Sequence, residues 1–355
     1  MTSAAALPAP AAAGGETLLE LNEVVKQFPV RSERLIARGR ETVRAVDGVS
    51  LSVRRGETVG LVGGTGCGKS TLARCITRLY DLTSGTVVFD GDDISRLPAR
   101  RLRAYRRKMQ MVFQDPYGSL NPRRRVGSII GDPLAANGID SGPARKRRVQ
   151  ELMELVGLNP EHFNRFPAAF SGGQRQRIGL ARALALQPEL LVCDEPVSAL
   201  DVSIQAQIIN LLADLQQKLG LTYIFIAHDL SVVRHVSDRI AVMYLGRIVE
   251  IGETEALFAA PRHPYTQALL SAVPTPDPDL IGEAAPVTLT GDVPSPIHPP
   301  AGCRFHPRCP RAQSRCRTDD PALSAAGGGG HHAVACHFPL SEITSPRPAG
   351  REDPA

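Results

Sequence analysis

Eight consecutive residues, Gly63-Gly64-Thr65-Gly66-Cys67-Gly68-Lys69-Ser70, constrain this chain more than any other stretch. They follow the apolar, β-branched run 58–62 and precede a helix-like stretch that opens with Thr71. Glycines in such a turn let backbone N–H groups face inward around phosphate oxygens, and the positive end of the following helix adds to the attraction. In this pattern Lys69 reaches the outer phosphates and the Ser70 hydroxyl ligates Mg²⁺. A glycine-rich turn can match by chance, but a strand before it and a helix after it are the context that phosphate binding requires. Gly63 to Ser70, with Thr71, are therefore the expected nucleotide contacts.

The rest of residues 17–258 repeats the same alternation of short β-branched runs and helical stretches, the pattern of an α/β domain with a mostly parallel sheet. Runs 58–62, 190–193 and 222–227 each end at a polar or glycine-rich turn, and parallel sheets bind ligands beyond the carboxyl ends of their strands. The second run ends in Asp194-Glu195. Alone, that would read as an ordinary strand terminus. Beside a phosphate loop, Asp194 suits Mg²⁺ and Glu195 suits a general base for the water that attacks the γ-phosphate. Between loop and carboxylates lies Phe170-Ser171-Gly172-Gly173-Gln174-Arg175. Here Ser171 reads either as a plain helix N-cap or as part of an exposed helix start that receives phosphate.

Ser171-Gly172-Gly173-Gln174 lies about 100 residues after the phosphate loop and just before Asp194-Glu195, and in that order the chain resembles the ABC transporter ATPases. The resemblance implies a P-loop NTPase cassette with a helical signature subdomain, and two cassettes that close head to tail around ATP and Mg²⁺. It also assigns further positions. Gln114 looks like the Q-loop glutamine that senses Mg²⁺ and water, and His228 like the switch histidine, although a histidine ending a strand is otherwise an ordinary core residue. Ser198-Ala199-Leu200-Asp201 resembles the D-loop, and Phe28 the aromatic that stacks on adenine, with a core strand phenylalanine as its alternative. Phe170 stands where many members carry Leu, and Gly64, Thr65 and Cys67 occupy variable positions of the loop. None of these departures removes a group that hydrolysis needs.

Two longer stretches, residues 113–123 and Arg262-His263-Pro264-Tyr265-Thr266-Gln267-Ala268-Leu269-Leu270, look like the ATPases of oligopeptide, dipeptide and nickel importers. The similarity covers roughly residues 17–338. It implies the second ATPase of a heterodimeric pair, working with two membrane permeases and an extracytoplasmic solute-binding protein at the cytoplasmic face of the inner membrane. Peptide is the cargo implied, with nickel, opines, glutathione and sugars open. A soluble ABC ATPase acting on DNA or ribosomes is the rival from another class; the chain has neither its long heptad insertion nor a second cassette.

Composition fits this reading. No run of about 18 apolar residues occurs, so a membrane role must come through partners. Basic clusters at 96–108, 123–125 and 145–148 are read as solvated helix faces, because 41 basic residues meet 36 acidic ones and aromatics make up only 5%. No nucleic-acid partner is expected. From residue 259 prolines become dense, as in Val273-Pro274-Thr275-Pro276-Asp277-Pro278, so residues 259–338 read as a small loop-rich C-terminal appendage, with tails at 1–16 and 339–355 and a hinge at 327–330. Cys303, Cys309, Cys316 and Cys336 cluster there, and thiolates at that density can hold zinc or an iron–sulfur cluster. The zinc-ribbon spacing is absent, and members of the importer family with a similar pattern carry a 4Fe-4S cluster, which is the expectation. Zinc with His306, His331, His332 or His337, and four free thiols, are the alternatives.

Overall fold

The β-branched runs pair into two sheets. In this computed structural model the described residues are 15–30, 41–115, 118–198, 200–272, 289–325 and 332–340. The hinge at 327–330, the proline-dense stretch 273–278, the tail from 341 and most of the N-terminal tail lie outside them. Strands β1 (Thr17–Pro29) and β2 (Thr42–Arg54) form an antiparallel pair, extended by β4 (Ser84–Phe89) and β5 (Asp92–Asp93) in the order β2-β1-β4-β5. Leu19 and Leu21 of β1 are buried while Glu20 and Asn22 face out, the alternation of a one-sided sheet, and a register shift between Leu21 and Val24 brings Val24 inward after the exposed Glu23.

The second sheet carries the site. Five of its strands, β9 (Arg239–Tyr244), β3 (Thr58–Val62), β8 (Thr222–Ile226), β7 (Leu190–Asp194) and β6 (Met109–Val112) at the edge, run parallel in that order. Residues 58–62, 190–194 and 222–226 are buried without interruption, as expected where both faces of a sheet are covered. Parallel strands end on one edge, so the turns after β3, β6, β7 and β8 meet although they are far apart in the chain.

On the other flank the sheet turns antiparallel. Strand β10 (Arg247–Glu253) pairs with β9, β12 (Ala333–Val334) pairs with β10, and β11 (Ser324–Ala325) closes the edge. The C-terminal appendage is thus joined to the core sheet by its own strands. Its remaining described elements are short: α9 (Pro264–Ser271), a 3₁₀ turn at His306–Arg308 and α10 (Ser314–Thr318).

Helix α1 (Lys69–Ile76) follows the phosphate loop, and α2 (Ala99–Lys108) leads into β6. Helices α3 (Val126–Ala136), α4 (Gly142–Leu155) and α5 (Gly172–Leu184) form the helical subdomain around Ile129, Ile130, Leu134, Val149, Leu152, Met153 and Ile178. Each such side chain contributes about 1.5–3 kcal/mol by leaving water. Helices α6 (Val202–Leu219), α7 (Leu230–Val236) and α8 (Thr254–Ala259) complete the core. Helix α2 buries only Leu102; its Lys108 pairs with Asp90 and Glu189, both at 2.9 Å, while Arg100, Arg101, Arg103 and Arg107 are exposed. No helix of the described residues is long and apolar enough to cross a membrane.

Candidate nucleotide site at the carboxyl edge of the parallel sheet

The phosphate loop is fixed by what surrounds it. Gly63 has φ +151°, and a Cβ there would lie 2.2 Å from the Met243 carbonyl of β9. Gly68 has φ +108°, and a Cβ there would lie 2.1 Å from the Ala45 carbonyl of β2. The loop is therefore clamped between strands from both sheets, at positions no side chain can occupy. Thr65 and Gly66 are exposed at its tip. Cys67 is buried, and burial pushes its thiol up despite the nearby Lys69, so only its backbone can meet a ligand.

Lys69 is buried, and its ammonium donates to the carbonyls of Gly63 at 2.7 Å and Gly64 at 3.2 Å. It lies curled over the loop it serves. The Ser70 hydroxyl donates to Asp194 Oδ1 at 2.9 Å, which brings together the two expected Mg²⁺ ligands from β7 and α1. Burial raises the pKa of Asp194, opposed by the Ser70 hydrogen bond and by Arg74 and Lys69. Ser70 and Asp194 would hold a dication, whose charge would offset the cost of keeping the buried carboxylate ionised.

Glu195, next along, is also buried, and its backbone has φ +48°. A non-glycine residue in the left-handed region stores strain that neighbours must hold. Its N–H donates to the Ile226 carbonyl at 3.0 Å, tying the turn after β7 to the end of β8. Gln114 Nε2 donates to Glu195 Oε2 at 2.5 Å, and His228 Nε2 lies 2.5 Å from Oε1. The three expected catalytic residues, from the turns after β6, β7 and β8, meet at one carboxylate.

The remaining expected residues sit elsewhere. Ser171 accepts from the Gln174 N–H at 3.3 Å, while Gln174 Oε1 accepts from the Ser171 N–H at 3.1 Å, a reciprocal cap on α5. Both readings of Ser171 thus share one geometry, a capped helix with an exposed start. Gly172 is half-buried there. A Cβ on Gly173 would lie 2.4 Å from Ile204 Cγ2, so this glycine serves the contact of α5 with α6. Among the described residues, no hydrogen bond joins Ser171 or Gln174 to the phosphate loop of the same chain. Asp201 is exposed at the start of α6, beside Val202, which is 81% exposed; Ala199 lies outside the described residues. Phe28 is half-buried on β1, its ring 5.4 Å from that of Tyr80 and 4.9 Å from the Lys26 ammonium.

Tyr265 is a site residue that motif reading missed. It appears in the sequence only as part of a family stretch, yet its hydroxyl accepts the Gly64 N–H at 2.7 Å.

The four C-terminal cysteines come into one neighbourhood. Burial pushes the Cys303 thiol up to about 11, and Cys336, Cys316 and Cys309 each oppose its ionisation. Cys309 and Cys336 are raised by burial and by their cysteine neighbours in the same way. Yet no set of three or more Cys, His, Asp or Glu among the described residues is arranged to hold a metal ion. The expected iron–sulfur ligands agree in type and proximity; the backbone N–H of Cys303 donates to the Cys316 carbonyl at 2.9 Å, Cys316 is buried, and Cys303, Cys309 and Cys336 are half-buried. His331 lies outside the described residues, and His332 and His337 are turned to Glu250 and to the Asp319 carbonyl.

Comparison with known proteins agrees with this geometry. Residues 46–198 match the ABC transporter family, and residues 249–316 match the oligopeptide/dipeptide transporter C-terminal region. The chain is 52% identical over 328 residues to the oligopeptide transport ATP-binding protein AppF of Bacillus subtilis, covering 92% of this chain and 99% of that one. It is 53% identical over 322 residues to the probable peptide ABC transporter ATP-binding protein y4tS of Sinorhizobium fredii, covering 91% and 90%. Among solved structures, the ATP-binding cassette MJ0796, in a dimeric post-hydrolysis state with ADP and Pi, superimposes with a TM-score of 0.59 at 31% identity, covering 67% of this chain and 99% of that one. CbiO1 from Clostridium perfringens, part of the transporter complex cbiONQ, gives 0.59 at 27% identity, covering 69% and 91%. With strand order, clamped phosphate loop and the Gln114–Glu195–His228 group in place, these matches establish that the chain is an ATPase of the ABC transporter family, in the branch of the oligopeptide transport ATP-binding proteins.

Proposed function

We propose that this chain hydrolyses ATP to drive a peptide importer, with Glu195 as the general base. The observation that carries the reading is the meeting of Gln114 and His228 on the two oxygens of Glu195, beside the Ser70–Asp194 pair. Ser70 and Asp194 would hold Mg²⁺, which supplies charge neutralisation at the phosphates. Lys69, held by the Gly63 and Gly64 carbonyls, would reach phosphate oxygens with its remaining N–H, and Phe28 would meet the adenine. Gln114 and His228 orient the Glu195 carboxylate, which takes the proton of the attacking water. That task is worth about 10²- to 10⁴-fold in rate.

Ser171 to Gln174 form an exposed, capped helix start with no partner in their own phosphate loop, which supports a role in the site of a second cassette. That cassette is read as a related ATPase in a heterodimer, with Asp201 on the shared surface. Two permeases and an extracytoplasmic solute-binding protein complete the assembly at the cytoplasmic face of the membrane. Peptide as cargo rests on the relatives' names, AppF and y4tS among them. For the cysteines, a 4Fe-4S cluster, with zinc as the alternative, is supported by their proximity; anaerobic iron, zinc and sulfide analysis with Cys303→Ser as control decides it, and absence of all three removes the proposal.

Glu195→Gln tests the central reading. The variant should bind ATP and turn over at least about 10²-fold more slowly. Unchanged turnover would refute the assignment. Purifying the tagged variant from gently solubilised membranes of its host tests the assembly: permeases and a second ATPase should accompany it, and ribosomal or DNA-repair proteins in their place would sink the transport reading.

A further inference from the structure

The peptide unit between Gly63 and Gly64 is held at both ends. Its carbonyl, on Gly63, accepts from the Lys69 ammonium at 2.7 Å, and its N–H, on Gly64, donates to the Tyr265 hydroxyl at 2.7 Å. In a trans peptide these two groups point in opposite directions and rotate together. Whatever fixes the N–H therefore fixes the carbonyl on which Lys69 rests. Tyr265 is nearly fully buried, far outside the run of motifs that bind nucleotide, on a helix of the C-terminal appendage.

The local sequence explains how Tyr265 gets there. His263 is the N-cap of α9, its Nδ1 accepting the Tyr265 N–H at 3.0 Å, and Pro264 starts the helix. The backbone N–H groups of Arg262 and His263 donate to the two oxygens of Glu250, a fully buried residue of β10, at 2.7 and 2.9 Å. The tyrosine ring packs edge-on against Tyr244, with centroids 4.8 Å apart, and tilted against Phe305 at 5.4 Å. A second thread reaches the same loop: Arg304, beside Phe305, donates to the Leu245 carbonyl and pairs with Asp47, while the Gly246 N–H donates to the Cys67 carbonyl at 2.8 Å. Both threads begin in the appendage and end on the outer side of the phosphate loop.

We infer that Tyr265 is a positioning residue of the nucleotide site: its hydroxyl sets the Gly63–Gly64 peptide, and through it the place of Lys69. The inference rests on the reading of Gly63 to Ser70 as the nucleotide loop. It assigns the His-Pro-Tyr segment a task beyond marking a subfamily, namely to make the loop's shape depend on the appendage being docked.

The test is Tyr265→Phe, which keeps the ring in its aromatic cluster and removes only the acceptor. Tyr244→Phe is the control, since it removes a hydroxyl from the same cluster that makes no hydrogen bond to the loop. Both are made in the full-length chain carrying Glu195→Gln, and Kd for ATP is measured by titration calorimetry. Tyr265→Phe should weaken ATP binding about tenfold, the equivalent of one lost hydrogen bond to a buried group, and Tyr244→Phe should leave it within about twofold. Amide exchange over residues 60–70 without nucleotide should quicken in Tyr265→Phe alone. In the hydrolysis-competent chain KM for ATP should rise while kcat holds, since Glu195 is untouched. Equal Kd for Tyr265→Phe and its parent, or equal losses in both phenylalanine variants, overturns the inference and leaves the nucleotide reading standing. Failure of the parent itself to bind ATP overturns the nucleotide reading, and the inference with it.

Discussion

The nucleotide core and the C-terminal appendage are held in place by opposite means. In the core, five parallel strands buried on both faces fix the carboxyl edge, and the site residues ride on turns a few residues long. In the appendage the described strands are two residues long and the helices at most eight, so polar side chains do the fixing. Glu250, fully buried, gathers the Arg262 and His263 N–H groups and the His332 ring at 2.6 Å. A ladder shares its load over many equivalent hydrogen bonds, whereas a buried carboxylate with three donors concentrates it in one side chain.

The sharpest way to break that comparison is Glu250→Ala. Losing the carboxylate leaves three buried or half-buried donors without their acceptor, a cost of about 3–5 kcal/mol. Urea titration should show that loss. Amide exchange should place it in residues 262–272 and 332–340 before the strands of the parallel sheet. A loss spread evenly over the sheet would mean that the appendage and core are fixed alike.

Gly68→Ala strikes the core in the same spirit. The new Cβ would fall 2.1 Å from the Ala45 carbonyl in a left-handed backbone, and that carbonyl belongs to β2, which cannot shift without disturbing its pairing with β1. If strain of about 3 kcal/mol falls on the loop, ATP affinity drops about 100-fold. Calorimetric titration reads this directly, and unchanged affinity would show that the strands do not set the loop.

The same contrast explains what the sequence made legible. The α/β class and the parallel sheet follow from motifs placed at strand ends, whereas Gln114 and His228 were singled out only by the resemblance to the ABC transporter ATPases; they lie beside Glu195 because parallel strands deliver their turns to one edge whatever their separation in the chain. The solvated basic helix was legible too, since only Leu102 of α2 is needed inside. Tyr265 was not. Its partner, Gly64, lies 201 residues away, and no periodicity or spacing links a capped helix in a proline-rich segment to a loop in another part of the sheet. The cysteines were legible as a cluster, but spacing carries no information on where the sulfurs point. The contact of Gly173 with Ile204, a residue of the neighbouring helix, was invisible to local pattern as well.

His263 gives the smallest of these effects and the one that separates appendage from core by pH alone. Its ring is buried, and burial pushes its pKa down to about 4, against the opposing pull of Glu250. It is therefore neutral in the folded protein near pH 7, with Nδ1 free to accept the Tyr265 N–H. In the unfolded chain the same ring titrates near 6.5. The unfolded state binds the extra proton first as pH falls, so stability is full above about 6.5 and declines until about 4, where the folded ring also protonates. The total available is on the order of 3 kcal/mol, of which about 2 kcal/mol is spent by pH 5. His263→Asn keeps a side-chain acceptor for the cap and removes the titration. Urea midpoints of parent and variant should converge from pH 7 to pH 5, and parallel midpoints would show that this ring carries none of the acid sensitivity.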